Sequence, residues 1–260
     1  MRTLAQFLLV SPFEARDHAP LLRWLLLNAL ALFGFITAWH FGLVQLMLRS
    51  DQSYISLVIL VLYGVFTAHC FALTWHISEE TNIARRVRRQ VTESNGNLHI
   101  LDDRVVARDG RPLETCRLTH HIHNLMIKSR LQGHAKLDQT VLLHGFAEGL
   151  SGRQRLGWFV ANVLFKLGLL GTIVGFILML SPIGNISAYD IETMKTALST
   201  MGNGMAVALF TTLAGLIGGL LLTLQYYALD EATMRLLALS TELTEVYIVP
   251  TLENRHGDTL

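Results

Sequence analysis

The chain has 260 residues, of which 51% are hydrophobic and 16% are charged, and its formal net charge is +1. Because a soluble domain carries roughly a quarter charged residues, this composition disfavours an ordinary soluble domain. The nearly neutral balance also gives no support for nucleic-acid binding, which relies on a basic surface. Charged residues crowd into some segments and are absent from others, which is typical of a membrane protein.

Four uncharged windows predict four membrane-spanning helices. In chain order they are Trp24 to Leu48, the residues between Asp51 and Glu79, Leu167 to Tyr189, and Thr196 to Leu229. Each exceeds the roughly 20 residues that an α-helix needs to cross about 30 Å of hydrocarbon. The sequence therefore predicts an all-α, polytopic membrane protein with four transmembrane helices. We expect the last two to extend as long helices into the cytoplasm.

These windows divide the chain into five predicted segments. They are a cytoplasmic N-terminal segment rather than a cleaved signal (1–20), transmembrane helices 1 and 2 (21–78), a cytoplasmic helical domain (79–155), transmembrane helices 3 and 4 (156–229), and a cytoplasmic C-terminal helix and tail (230–260). Inside the central domain, Leu118–Leu150 predicts a helix, and the apolar residues between Leu98 and Val106 predict a short amphipathic piece. Pro250 is expected to end the C-terminal helix.

The basic residues predict the orientation of the chain. Most of them lie between residues 77 and 157, whereas the two short loops on the opposite side carry Arg49 and Lys195. The positive-inside rule therefore places both termini and the central segment in the cytoplasm. The run from Arg85 to Arg89, directly after the second window, is interpreted as a topology signal that contacts lipid headgroups.

Stripes of small residues distinguish the last two windows from the first two. On the fourth window, positions 204, 208, 212, 215 and 219 share one helical face, and on the third, positions 168, 172 and 175 do the same. Small residues allow two helices to approach closely, and a threonine within each stripe offers a hydroxyl to water or an ion. One interpretation is packing alone, with each threonine bonded back to its own helix. The recurrence of the pattern on consecutive spans, with a threonine at mid-membrane depth, favours a pore.

The spans lack the ionisable group that an ion-coupled machine needs. No Asp, Glu or Arg occurs in the core of any window, and Lys166 lies near the predicted cytoplasmic end of the third. Such a group must then come from a partner helix. His69 lies deep in the second window, either as a proton relay or hydrogen-bonded to a neighbouring helix.

The remaining chemistry-bearing residues do not form a recognisable site. His120 and His123 have helical i,i+3 spacing, but no further ligand pair completes a metal site. The sequence contains none of the common catalytic motifs. We therefore expect that the chain has no metal site and no cofactor, and that it is not an enzyme.

Two segments resemble a known family. The segment LGLLGTIVGFILML (Leu167–Leu180), followed by GNGMAVALFTTLAGLIGGL (Gly202–Leu220), is similar to the MotA/TolQ/ExbB family, the channel subunits of flagellar stators and of Tol and Ton energisers. The motifs are GxxGTxxG on one span and AxxxTxxG on the next, within roughly residues 160–230. The four-span plan, with a large segment between spans two and three, resembles the flagellar stator subunit. At the positions of two stator prolines, this chain carries Phe165 and Gln225.

The resemblance implies an assembly and a mechanism. It implies a pentamer in the bacterial inner membrane around two copies of a single-span partner similar to MotB, ExbD or TolR. An aspartate of that partner would take up a proton or a sodium ion, and the pentamer would turn around the partner to produce rotation or force. The paired threonines do not indicate whether the ion is a proton or sodium. The sequence also does not indicate which process the complex drives.

The resemblance also implies roles for individual residues. Thr172 and Thr212 match the family's pore-lining threonines, with Thr211, Gly171 and Ala208 as weaker neighbours in the ion pathway. The glycines of the stripes are assigned to helix packing, namely Gly168, Gly175, Gly204, Gly215 and Gly219. Two other classes of protein remain as alternatives. One is a secondary transporter, although inverted repeats and broken helices are not visible, and the other is a passive membrane scaffold.

Overall fold

The computed structural model describes residues 19–51, 53–94, 96–101, 104–107, 110–132, 137–181 and 191–257. Eight α-helices lie in these ranges: α1 (Ala19–His40), α2 (Leu43–Ser50), α3 (Ile55–Glu93), α4 (Arg117–Gln132), α5 (Thr140–Ser151), α6 (Gln154–Leu180), α7 (Ile191–Leu243) and α8 (Val249–Gly257). A π-helical turn, Thr244–Ile248, joins α7 to α8, and strands β1 (Leu98–Leu101) and β2 (Arg104–Ala107) form a small sheet. Most of the predicted N-terminal segment lies outside the described residues.

Four helices in the described part of the chain are long and apolar enough to cross a membrane. They are Pro20–His40, Ile55–Glu93, Gln154–Leu180 and Met194–Glu253. The prediction of an all-α, polytopic membrane protein with four spans is thus confirmed. The third span begins at Gln154, well before the uncharged window that revealed it. Charged and polar residues mark the limit of an apolar window, but they do not interrupt an α-helix.

The first window contains two helices rather than one. Gly42, between α1 and α2, has a φ of 73°, a left-handed conformation that glycine adopts without steric cost. Asp51 follows α2 and accepts hydrogen bonds from the backbone N–H groups of Ser53 (2.9 Å) and Ser56 (2.6 Å). Burial alone would raise the pKa of Asp51, but the hydrogen bonds from these two serines hold that pKa below its ordinary value. The carboxylate thereby satisfies donors at the start of α3.

The chain divides into two compact units. The bundle unit comprises Trp24–Thr74 and Ala147–Met234, and the hairpin unit comprises Met1–Arg23, Trp75–Phe146 and Arg235–Leu260. The fully buried side chains of the bundle unit include Ile59, Leu164, Leu222, Tyr226 and Leu229. The core therefore draws on α3, α6 and α7, which brings the two small-residue stripes into the interior of the bundle unit.

The hairpin unit is built around β1 and β2. These strands pair antiparallel, with Leu98 opposite Ala107 and Leu101 opposite Arg104. Leu98, Val105 and Ala107 are buried, so the predicted amphipathic piece is a β-hairpin that covers the core of this unit with its apolar side chains. Two-residue periodicity over four residues is too short a signal to separate a strand from other amphipathic structure.

The predicted helix Leu118–Leu150 is wrong as a single helix. It forms two helices, α4 and α5, and residues 137–139 before α5 are not helical. Asp138 accepts a hydrogen bond from the backbone N–H of Thr140 at 2.9 Å, an Asx turn that competes with continuation of the helix. Gln139 donates a hydrogen bond to Glu245 and the N–H of Leu137 donates one to Glu253 at 3.0 Å. The carboxylates of Glu245 and Glu253 therefore attach the segment between α4 and α5 to the C-terminal helical segment.

The prediction that Pro250 ends the C-terminal helix is also wrong. After the π-helical turn, in which the N–H of Val249 donates to the carbonyl of Thr244, α8 continues to Gly257. Pro250 is the second residue of α8, which comes directly after the π-helical turn. The helical conformation therefore continues through Pro250.

Candidate functional site

The two stripes of small residues face each other between α6 and α7. A Cβ atom added to Gly215 would lie 2.7 Å from the Cα of Gly168 and 2.8 Å from the carbonyl oxygen of Leu164. Both are backbone atoms, which cannot move aside without separating the helices. Glycine is therefore required at this crossing, as the packing assignment of Gly168 and Gly215 predicts.

The two helices remain equally close towards the C-terminal end of α6. A Cβ on Gly175 would lie 2.5 Å from the backbone nitrogen of Ala208, and one on Gly204 would lie 2.5 Å from that of Met179. A Cβ on Gly171 would overlap the side chain of Thr211. In the other direction, a Cβ on Gly219 would lie 2.9 Å from the ring of Phe165. The residues predicted from the stripe pattern are thus brought together in one continuous helix–helix contact.

The three threonines of the stripes differ in their surroundings. Thr211 is 0% exposed and its hydroxyl donates to the carbonyl of Val207 at 2.8 Å. Thr172 is half-buried and donates to the carbonyl of Leu169 at 2.6 Å. Thr212, also half-buried, lies 2.9 Å from the carbonyl oxygen of Ala208 on its own helix and 3.2 Å from that of Gly168 on α6. The hydroxyl of Thr212 therefore joins the two helices.

Hydrogen bonding to the helix backbone leaves part of each hydroxyl available. A threonine hydroxyl has one hydrogen to donate and two lone pairs to accept with, so a back-bonded Oγ1 still presents electron density to water or a cation. Thr172 and Thr212 combine this capacity with partial exposure, whereas Thr211 is enclosed. Gly171 and Thr211 lie in the helix contact, and Ala208 borders it. Their assignment to an ion pathway stays a prediction.

The outer faces of α6 and α7 are apolar in the single chain. The exposed residues on α6 include Leu169, Leu170, Ile173, Phe176 and Ile177, and those on α7 include Leu209, Leu213, Leu216, Ile217 and Leu220. Surfaces of this kind suit lipid chains or the apolar helices of other subunits. The oxygen atoms of Thr172 and Thr212 are thus flanked by apolar side chains on both helices.

A buried polar cluster that the sequence pattern did not predict lies beside this contact. Gln225 on α7 is 2% exposed, and its Nε2 is 3.1 Å from Asn28 Oδ1, 3.3 Å from the hydroxyl of Tyr63 and 3.4 Å from that of Thr67. These contacts tie α7 to α1 and α3. The available signal was a glutamine inside an uncharged window, at a position where flagellar stators carry proline.

His69 belongs to the same region. Its Nδ1 lies 2.8 Å from the hydroxyl of Tyr226, so the predicted hydrogen bond to a neighbouring helix is confirmed. Tyr226 is 0% exposed, and its ring lies directly against Gly157 of α6, where a Cβ would overlap the ring. The pair therefore connects α3 to α7 at a place where α6 leaves room for an aromatic ring.

One histidine of the hairpin unit is also buried. His121 on α4 is 3% exposed and stacks against Phe146 with ring centroids 5.0 Å apart. Burial lowers the pKa of His121, and the charge of His120 acts in the same direction, while hydrogen bonding to Gln139 opposes them. Among the described residues, no group of three or more His, Cys, Asp or Glu side chains could hold a metal ion.

The region of close helix packing lies within the part of the chain that matches a family model. Residues 148–241 match the model of the MotA/TolQ/ExbB proton channel family. This range includes both stripes, Thr172 and Thr212, together with Gln225 and Tyr226. No curated protein matches the chain.

Proposed function

Because the chain belongs to the MotA/TolQ/ExbB proton channel family, we propose that it forms the channel of an ion-driven energiser or motor complex. Family membership makes it a proton-channel-like membrane subunit of such complexes. The observation that carries the proposal is the position of the Thr212 hydroxyl, 3.2 Å from the carbonyl oxygen of Gly168, in the middle of the matched range. The ion is a proton or a sodium ion.

The pathway is lined by Thr172 and Thr212. Both residues keep accepting lone pairs after bonding to their own helices, and both are half-buried. The close contact between Gly168 and Gly215 fixes the two helices with respect to each other. Such rigid placement is what a site needs if its oxygen atoms are to replace the hydration shell of an ion.

The chain itself brings no acidic group to the membrane core. Asp, Glu, Lys and Arg are absent from residues 52–78 and 197–229 of the sequence. The proposal therefore includes a single-span partner whose membrane aspartate binds and releases the ion. A homopentamer around two partner helices, in the bacterial inner membrane with both termini in the cytoplasm, is the assembly that the family resemblance suggests. Rotation or force would result from alternating ion binding at that aspartate.

Ion flux in reconstituted vesicles tests this proposal. Liposomes that contain the chain alone should hold an imposed ion gradient, and liposomes that contain the chain with its partner should dissipate it. Loss of flux after Thr212→Val, in a complex of unchanged size, would support the role of the threonine oxygen. Robust flux through the chain alone would contradict the need for a partner. Solute-dependent flux without a partner would favour a secondary transporter, and no flux under any condition would favour a scaffold.

A further inference from the structure

The bundle unit contains a polar cluster that the channel role of the threonines does not use. Its members come from three helices: Asn28 on α1, Tyr63, Thr67 and His69 on α3, and Gln225 and Tyr226 on α7. We propose that His69 in this cluster is a proton-binding site that belongs to the chain itself. Its use in transport rests on the proposed function, whereas its protonation rests on the contact with Tyr226.

The Tyr226 hydroxyl can serve His69 in both protonation states. The hydroxyl oxygen lies 2.8 Å from His69 Nδ1 and 3.4 Å from the carbonyl oxygen of Phe66. When the imidazole is neutral and carries its hydrogen on Nε2, Tyr226 donates to Nδ1. When the imidazole is protonated, Nδ1 donates to the tyrosine oxygen, and the tyrosine hydrogen turns to Phe66. Neither state requires a heavy atom to move or leaves the shared nitrogen without a partner.

The protonation step needs water as its co-reactant. An O–H bond of a hydronium ion breaks, an N–H bond forms on the imidazole, and a water molecule is released. His69 is half-buried in the single chain, and Tyr226 is a fixed partner on one side of its ring. The ring of Tyr226, in contrast, is fully buried against Gly157 and stays in place. The neutral and the protonated state of His69 therefore exchange by rotation of the tyrosine hydroxyl hydrogen about the C–O bond.

The side chains in contact with the pair are uncharged, and the nearest charged residues along the neighbouring helices are Arg155 on α6 and Asp230 on α7. Asn28 on α1 contacts Gln225 on α7, and Gly157 of α6 lies against the ring of Tyr226. Tyr63 and Cys70 are the further titratable groups of α3 in this region, and the charged residues of that helix begin at Glu79. A proton on His69 would therefore be stabilised by oxygen atoms rather than by an ion pair.

Gln225 supplies a second indication that the cluster holds more than protein atoms. Its Oε1 is buried and has no hydrogen-bond partner among the described residues, although the side chain is 2% exposed. A buried amide oxygen without a donor is costly in an apolar environment. A water molecule bound there would satisfy it.

Solid-state NMR of the full chain in lipid bilayers tests the proposal. The histidines are labelled with ¹⁵N, and the imidazole signals are followed as the pH falls from about 8 to about 5, the range in which histidines exchange their proton. The His69 signal is assigned by its loss in His69→Gln. If that variant does not fold, the signal is assigned in the wild type by its contact with ¹³C-labelled Tyr226. We expect a reversible change from neutral imidazole to imidazolium.

A matched pair of tyrosine variants separates the site from its surroundings. Tyr226→Phe removes the shared hydroxyl and should move the midpoint of the His69 titration, whereas Tyr227→Phe changes a 63% exposed neighbour and should leave it in place. A His69 signal that stays neutral over this pH range would overturn the proposal, as would identical His69 signals in both variants. If His69 titrates as expected but Thr212→Val leaves ion flux intact, the proton site stands and the channel proposal fails.

Discussion

The hydroxyl oxygen of Thr212 lies 3.2 Å from the carbonyl oxygen of Gly168, across the contact between α7 and α6. Close by, a Cβ on Gly215 would lie 2.7 Å from the Cα of Gly168. Packing and ion binding therefore need not be alternatives at this position. Glycine permits the approach of the two helices, and the approach places the threonine oxygen at a fixed distance from the facing backbone.

Replacement of Thr212 by valine should abolish coupling while the complex still assembles. Valine has nearly the shape of threonine but lacks the hydroxyl, so the helix contact survives and the oxygen is lost. We expect ion flux through the complete complex to fall by about tenfold or more, which corresponds to roughly 1.4 kcal/mol of lost stabilisation. Thr212→Ser, which keeps an oxygen, should retain a large part of the flux in the same vesicle assay.

Thr223 is the matched control for this prediction. It lies on the same helix, is half-buried, and donates back to the carbonyl of Gly219 at 2.8 Å. Thr223→Val removes an equivalent helix-bonded hydroxyl and should leave flux unchanged. Equal losses in the two valine variants would mean that threonine hydroxyls support the helices rather than the ion.

Replacement of Gly215 by alanine should weaken the contact between α6 and α7. The added methyl group would meet the backbone of Leu164 and Gly168, and overpacking of this kind costs about 1–3 kcal/mol. The expected result is a lower midpoint of thermal unfolding in detergent. Gly202→Ala is the control, since nothing lies within 4 Å of the position of its Cβ. An unchanged midpoint in Gly215→Ala would show that the two helices do not approach as closely as described.

His121 should make the hairpin unit less stable in acid. Burial holds the pKa of His121 below its ordinary value of 6.5, so below that pH the unfolded chain binds a proton that the folded chain resists. Its contribution is complete above about pH 6.5 and is lost as the pH falls towards the lowered folded-state value. Hydrogen exchange of α4 amides at pH 7.5 and pH 5.5, compared at matched intrinsic exchange rates, should show the difference.

The control for this prediction is a pair of glutamine variants. His121→Gln should reduce the pH dependence of α4 protection, because the buried titrating group is gone. His99→Gln changes an exposed histidine of β1 and should leave the dependence in place. A dependence that survives in His121→Gln would assign it to another group of the unit.

The sequence predicted those features that depend on composition or helical period. Four uncharged windows revealed the four spans, and the spacing of Gly168, Gly175, Gly204 and Gly215 predicted a contact face because residues three or four apart lie on one side of a helix. One of the two interpretations of His69 was a hydrogen bond to a neighbouring helix, since a polar ring in an apolar span requires a partner. Each of these inferences uses local sequence alone.

The features that were missed depend on which helices become neighbours. Periodicity identifies a face of α7, but it does not reveal that Gln225 reaches Asn28 and Tyr63 on two other helices. Pro250 was read as a helix end because proline lacks an N–H, yet α8 continues through it to Gly257. The strands β1 and β2 are each four residues long, too short for a period-two pattern to be distinctive.

The measurement that tests the central claim most directly is native mass spectrometry of the tagged chain, purified in mild detergent from the membranes in which it is naturally expressed. We predict a complex of several copies of this chain, five by the family resemblance, with two copies of a single-span protein that carries an aspartate in its membrane helix. A chain that purifies as a monomer or dimer, with no such partner under conditions that preserve other membrane complexes, would contradict the claim that it is the channel subunit of an ion-driven machine.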